Sequence, residues 1–178
     1  AYLQNHSALE TVVYAVSQLE DDELFNAGIG SQIQSDGKIR MSASLMDGES
    51  QKMSGVINIE EVKNPIQVAQ VLMQVDDRIL GGSGATNFAR KHGFESFSTE
   101  IPQRRAEYEA KLASLGTGTV GCVALDNNGK IAVATSTGGK GFEIPGRISD
   151  SATVAGNYAN EFCGVSLTGV GEDIVSNA

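Results

Sequence analysis

The 178-residue chain carries a formal net charge of -9, with 40% hydrophobic and 20% charged residues, the make-up of a globular domain with one core. No basic cluster is longer than Arg104-Arg105, which excludes the basic stripe of a nucleic-acid binder. No apolar run reaches the roughly 18 residues of a membrane-spanning helix, and a cytoplasmic protein with no membrane or nucleic-acid partner is expected.

Residues 7–19 read as a helix. Ser7 caps it with Glu10 at the capping-box spacing, and Leu9, Val12, Val13, Val16 and Leu19 share one face. The acidic run Glu20-Asp21-Asp22-Glu23 leads into residues 24–31, where two glycines within three positions predict a shaped loop. Strands are expected over 38–45 and 53–59, with a turn at Asp47-Gly48. Asn64-Pro65 opens a helix through Met73. Gly81-Gly82-Ser83-Gly84 reads as a break, 85–91 as a helix stopped by Gly93, and 102–115 as a charged surface helix.

The character changes after Gly116-Thr117-Gly118. The runs 119–125 and 131–135 are nearly continuous in Val, Ala and Ile, and Asp126-Asn127-Asn128-Gly129 joins them. They predict a hairpin buried on both faces. Residues 138–160 read as loop, 162–167 as a short strand, 168–172 as a turn, and Asp173 begins a helix. Helices at both ends with paired strands in each half predict an α+β protein of layered αββα type. Cys122 and Cys163 sit in apolar runs and read as buried free thiols. They lack zinc-ligand spacing. His6 and His92 read as surface residues.

Three clusters carry candidate chemistry beside Thr119, which alone is an ordinary strand residue. A hairpin brings its outer ends together, so the hydroxyls of Thr135, Ser136 and Thr137 are expected near Thr119. Arg147 and Asp150 stand three apart in a loop of small residues. Arg grips a carboxylate with a rigid fork, and Asp accepts hydrogen bonds from an ammonium group, so the pair suits the two charged ends of an amino acid. It also suits a plain surface ion pair. Thr168-Gly169-Val170-Gly171-Glu172 follows a strand, and a hydroxyl plus a backbone N–H at one turn can form an oxyanion hole.

Taken in order, Gly118-Thr119-Val120-Gly121, Thr135-Ser136-Thr137-Gly138-Gly139, Gly146-Arg147-x-x-Asp150-Ser151, Tyr158-Ala159-Asn160 and Thr168-Gly169-x-Gly171-Glu172 closely resemble the plant-type asparaginase (isoaspartyl peptidase) family of N-terminal-nucleophile hydrolases. Leu19-Glu20, residues 24–30, Met46-Asp47-Gly48, Lys63-Asn64-Pro65 and Gly82-x-Gly84-Ala85 look like signatures of its first half. The resemblance runs from about residue 2 to the end of the chain.

That resemblance implies a four-layer αββα sandwich and self-cleavage between Gly118 and Thr119. Residues 1–118 would form an α part and 119–178 the start of a β part. Thr119 would be the nucleophile, with its freed amine as base. Thr137 would support it, Thr168 and the Gly169 N–H would hold the oxyanion, Arg147 and Asp150 would bind substrate carboxylate and ammonium, and Gly171 would shape the pocket. Substrates would be L-asparagine and β-aspartyl dipeptides, hydrolysed to release aspartate. Asn26 is a candidate for support behind the site. The loop resembles one that wraps a sodium ion with backbone carbonyls, here those of Leu19, Glu20, Asp22, Phe25, Ala27 and Ile29; no other cofactor is expected. Family members imply a dimer of α/β units.

The chain departs from the pattern in places. The family's opening strand and His-Gly-Gly motif are not seen, and relatives continue beyond Glu172 with more helix and strand, so a fold incomplete at both termini is expected. Ser42 stands where an acidic residue is expected. Two alternatives remain open. Gly138-Gly139 speaks against a glycosylasparaginase, a branch that tends toward Asn before the Gly. The joint presence of Thr119, Thr137, Arg147, Asp150 and Thr168 speaks against an uncleaved binding relative.

Overall fold

The computed structural model describes residues 5–110 and 118–177. Helix α1 (Ala8–Glu20) starts at the expected box: the Ser7 hydroxyl accepts the Glu10 N–H at 3.2 Å and the Glu10 carboxylate accepts the Ser7 N–H at 2.9 Å. Strands β1 (Met41–Asp47) and β2 (Met53–Ile59) pair antiparallel across the turn at Asp47, whose carboxylate accepts the N–H groups of Glu49 and Ser50. Helix α2 (Pro65–Leu72) opens on Pro65.

The glycine-rich stretch is not a plain break. Residues 79–81 form β3 (Ile79–Gly81), parallel to β2, and α3 (Gly82–Lys91) begins at Gly82. A three-residue strand defined by pairing with a distant neighbour carries no period of its own. Helix α4 (Pro102–Glu109) follows; the rest of the helix expected to 115, with Gly116-Thr117, lies outside the described residues.

The hairpin forms from β4 (Val120–Leu125) and β5 (Ile131–Thr137), the second strand running two residues longer than its apolar stretch suggests. The five strands order as β3-β2-β1-β5-β4. β5, interior to the sheet between β1 and β4, is buried along nearly its whole length. β4 corrects the expectation of two buried faces: it ends the sheet, and Val123 is 48% and Leu125 59% exposed. The region 138–160 corrects the loop expectation, since it holds a short 3-10 turn (Asp150–Ala152) and β6 (Asn157–Ala159), which pairs with β7 (Gly164–Ser166). Helix α5 (Gly171–Asn177) begins two residues earlier than expected. Cys122 is half-buried and Cys163 exposed, so the second thiol is not the core residue its apolar setting suggested.

Strand alternation assigns the sheet's two faces. Met41, Ala43 and Leu45 join Val12, Val16, Ile66 and Ala69 in a core beneath α1 and α2. On the opposite face, Met46 and Val133 pack on Ala159 of the β6–β7 ribbon, and the Ser44 hydroxyl donates to the Ser151 carbonyl at 2.6 Å. The architecture is α+β: helices, a mixed sheet, and a small second sheet behind it. No described helix is long and apolar enough to cross a membrane.

One charged side chain lies inside the helical core. Glu20 Oε1 accepts from the Ser136 hydroxyl at 2.6 Å and from the Ile66 N–H at 3.1 Å, and burial pushes its carboxyl up to about 8 from an ordinary 4.5. A carboxyl raised by folding contributes stability that is full below its unfolded value and is lost as pH rises through its folded one. Glu20→Gln cannot ionise, so its stability relative to wild type is expected to improve as pH rises from about 4.5 to about 8. Denaturant midpoints measured across that window check this.

Candidate active site

Strand register places the first pair. Val120 lies opposite Ser136, which sets Thr119 beside Thr137, and the Thr119 hydroxyl donates to Thr137 Oγ1 at 3.0 Å. Thr137 Oγ1 also accepts the Gly139 N–H at 3.1 Å. The other two hydroxyls expected near Thr119 go elsewhere. Thr135 Oγ1 bonds Asn157 Oδ1 at 3.0 Å and Ser166 Oγ at 2.7 Å, while Ser136, on the opposite face, serves Glu20.

Asn26 ties this strand end to the residue before Thr119. Its N–H donates to the Gly118 carbonyl at 3.0 Å, and its own carbonyl accepts the Gly138 N–H at 2.7 Å. Its side chain donates to the Gly139 carbonyl and accepts the Gln32 N–H. A Cβ on Gly118 would overlap the Asn26 side chain, so only glycine fits at that approach. Sequence reasoning marked Asn26 faintly. Half of its bonds are made by backbone groups, which every residue carries, so no signal pointed to them.

The 19–30 loop is closed tightly. A Cβ on Gly28 would overlap the Glu20 carbonyl, and one on Gly30 would lie 2.5 Å from the Glu23 carbonyl oxygen and 2.9 Å from that of Phe25. The Leu19, Glu20 and Asp22 carbonyls accept the N–H groups of Asp22, Ile29 and Phe25; that of Leu19 also accepts the Asp21 N–H, while those of Glu20 and Asp22 keep a second lone pair. Such a carbonyl-rich turn suits a hard cation. Among the described residues no group of three His, Cys, Asp or Glu side chains is placed to hold a metal.

The second pair is built around Arg147. Glu172 grips it with two bonds, Nε to Oε1 at 2.7 Å and Nη2 to Oε2 at 3.1 Å. The hydrogen-bonded guanidinium pulls the Glu172 carboxyl down to about 2, and Glu172 in turn raises Arg147. Asp150 is 5% exposed, and burial raises its carboxyl. Its Oδ2 has no hydrogen-bond partner among the described residues, a costly state that a bound donor would relieve. Gly171 sits against both: a Cβ there would lie 2.6 Å from Asp150 Oδ1 and 3.1 Å from Arg147 Nη2. Glu172 entered the sequence reading as part of a motif without a role; its spacing of 25 residues from Arg147 hides the contact.

The turn 168–171 connects the two pairs. Thr168 lines a cleft of about 300 Å³ with Thr119, Val120, Gly121 and Ser166, Gly169 follows it, and Gly171 closes against Arg147 and Asp150. A hydroxyl pair with a third hydroxyl across a cleft thus lies toward one end of this turn, and a cation with a buried carboxyl at the other, groups of the kind that hold and attack a small zwitterion.

The family described as Asparaginase matches residues 1–115 and 98–178. An isoaspartyl peptidase/L-asparaginase of Synechocystis is 50% identical over 188 residues, 96% of this chain and 57% of that protein. One of Nostoc is 47% identical over 193 residues, 97% of the chain and 61% of the relative. A plant-type L-asparaginase of Pyrococcus furiosus is 40% identical over 194 residues, with 96% and 63% covered. The chain spans about three fifths of the length of these curated relatives. With both halves matched by the family model, and relatives up to 50% identical over most of its length, the chain belongs to the plant-type asparaginase (isoaspartyl peptidase) family.

Proposed function

We propose that the protein is a self-processing amidohydrolase with Thr119 as nucleophile, acting on L-asparagine and β-aspartyl dipeptides to release aspartate. The observation that carries this is the Thr119 hydroxyl bonded to Thr137 at 3.0 Å, in a cleft that Thr168 shares. In the uncut chain, Thr119 Oγ attacks the Gly118 carbonyl carbon, polarised by the Asn26 N–H. The acyl group moves from nitrogen to oxygen, and water hydrolyses the ester. The products are residues 1–118 and a part beginning at Thr119 with a free amine.

That amine, with an ordinary pKa of about 7.7–8.0, takes the hydroxyl proton as Oγ attacks the substrate amide. It returns the proton to the departing amine. Water then releases aspartate from the acyl-enzyme. Thr168 Oγ and the Gly169 N–H stabilise the oxyanion. Arg147 has five N–H groups; Glu172 uses two, and the remaining edge takes the substrate's α-carboxylate. Asp150 Oδ2 takes the α-ammonium, and Gly171 keeps the pocket open. The 19–30 loop would hold sodium through carbonyls of Leu19, Glu20, Asp22, Phe25, Ala27 and Ile29, a structural ion outside the chemistry. The described layers are read as part of a four-layer αββα sandwich, and the assembly as a dimer of α/β units.

The test is aspartate release from L-asparagine, a β-aspartyl dipeptide and an α-aspartyl dipeptide. The first two should yield aspartate and the third none, because its charged groups do not flank the reacting amide in the same way. No aspartate from any substrate would favour a binding protein that does not catalyse.

A further inference from the structure

Thr137 is pinned from both of its chain neighbours, and both pins lead back to one residue. On one side, Ser136 donates its hydroxyl to Glu20 Oε1 at 2.6 Å. On the other, the Gly138 N–H donates to the Asn26 carbonyl at 2.7 Å, in a loop closed by the Ile29 N–H on the Glu20 carbonyl at 2.8 Å. The Glu20 carboxyl also accepts the Ile66 N–H at 3.1 Å, near the start of a helix whose N-cap, Asn64, supplies no side-chain cap. Glu20 is fully buried between α1, α2 and β5. Its Oε1 neighbours are hydrogen-bond donors, not cations, its Oε2 has no hydrogen-bond partner among the described residues, and the nearby charge of Asp21 is of like sign.

We propose that Glu20 is a positioning residue for Thr137 and, through it, for Thr119. Its side chain fixes β5 at Ser136, and its main chain fixes the loop that carries Asn26. The proposal rests on the assignment of Thr119 as nucleophile. A carboxyl kept inside an apolar core, where leucine would fill the space, is otherwise a cost without a return.

The experiment compares Glu20→Gln, Glu20→Leu and Ser136→Ala with wild type by steady-state kinetics, thermal unfolding and methyl NMR of the threonines. Glu20→Gln keeps an acceptor for Ser136 and Ile66 and should retain kcat within about threefold. Glu20→Leu and Ser136→Ala should lower kcat by about 10- to 100-fold with KM unchanged, and shift the Thr137 methyl resonance. A purely structural role predicts lower melting temperatures with wild-type kcat per folded molecule and unmoved methyl signals; that result overturns the proposal. So does a Glu20→Gln variant as impaired as Glu20→Leu. If Glu20→Leu does not fold, Ser136→Ala decides, since it removes one hydroxyl at the other end of the same bond. Wild-type turnover by Thr119→Ala would sink the nucleophile assignment instead, while the Thr137 methyl shift would still report on positioning.

Discussion

Thr119→Ala is expected to stay uncut and to lose turnover by about 10⁴- to 10⁶-fold. The side chain removed is the donor of the 3.0 Å bond to Thr137, and alanine offers no oxygen for the acyl group. Little else should change, because the residue is half-buried at the start of β4 and Thr137 keeps its bond from the Gly139 N–H. Thr119→Ser keeps an oxygen there and should still cleave, more slowly, since serine has more rotamer freedom than β-branched threonine. Gel analysis and aspartate release, with unfolding midpoints as control, check the pair.

Arg147→Ala should act on binding more than on chemistry. Truncating one partner of a hydrogen-bonded charge pair desolvated on binding, here Arg147 with the substrate carboxylate, costs about 2–5 kcal/mol, so kcat/KM should fall by about 30- to 4,000-fold, mostly through KM. Arg147→Lys should rescue little, because a point charge cannot hold Glu172 with two parallel bonds and keep a second fork for substrate. A pH signature accompanies the loss. Arg147 lowers the Glu172 carboxyl to about 2 from 4.5, so the pair's contribution to stability is present above about 4.5 and fades as pH falls through about 2. Arg147→Ala should remove that acid-side dependence. Substrate titration and acid unfolding of wild type and variant measure both effects.

The parts legible in the sequence are those set by side chains at local spacing. Ser7 and Glu10 announced α1, and Asp126 to Gly129 announced the hairpin that brings Thr119 to Thr137. The parts hidden depend on pairing or on main-chain groups. β3 is a strand only because it lies beside β2. β4 has the composition of a central strand but the position of an edge. The Asn26 bonds to Gly118 and Gly138 are made by its backbone. Glu20 had a signal that went unused: it follows Val16 by one helical turn and so falls on the buried face of α1, although an acidic run reads as solvated. The Arg147–Asp150 spacing pointed to a zwitterion clamp, but nothing local placed Glu172 on Arg147.

Intact-mass spectrometry of the purified protein after incubation at neutral pH bears most directly on Thr119 as a nucleophile made by self-cleavage. Two species dividing between Gly118 and Thr119, absent from Thr119→Ala, are the predicted result. A single uncut chain, whether or not it released aspartate, would contradict it.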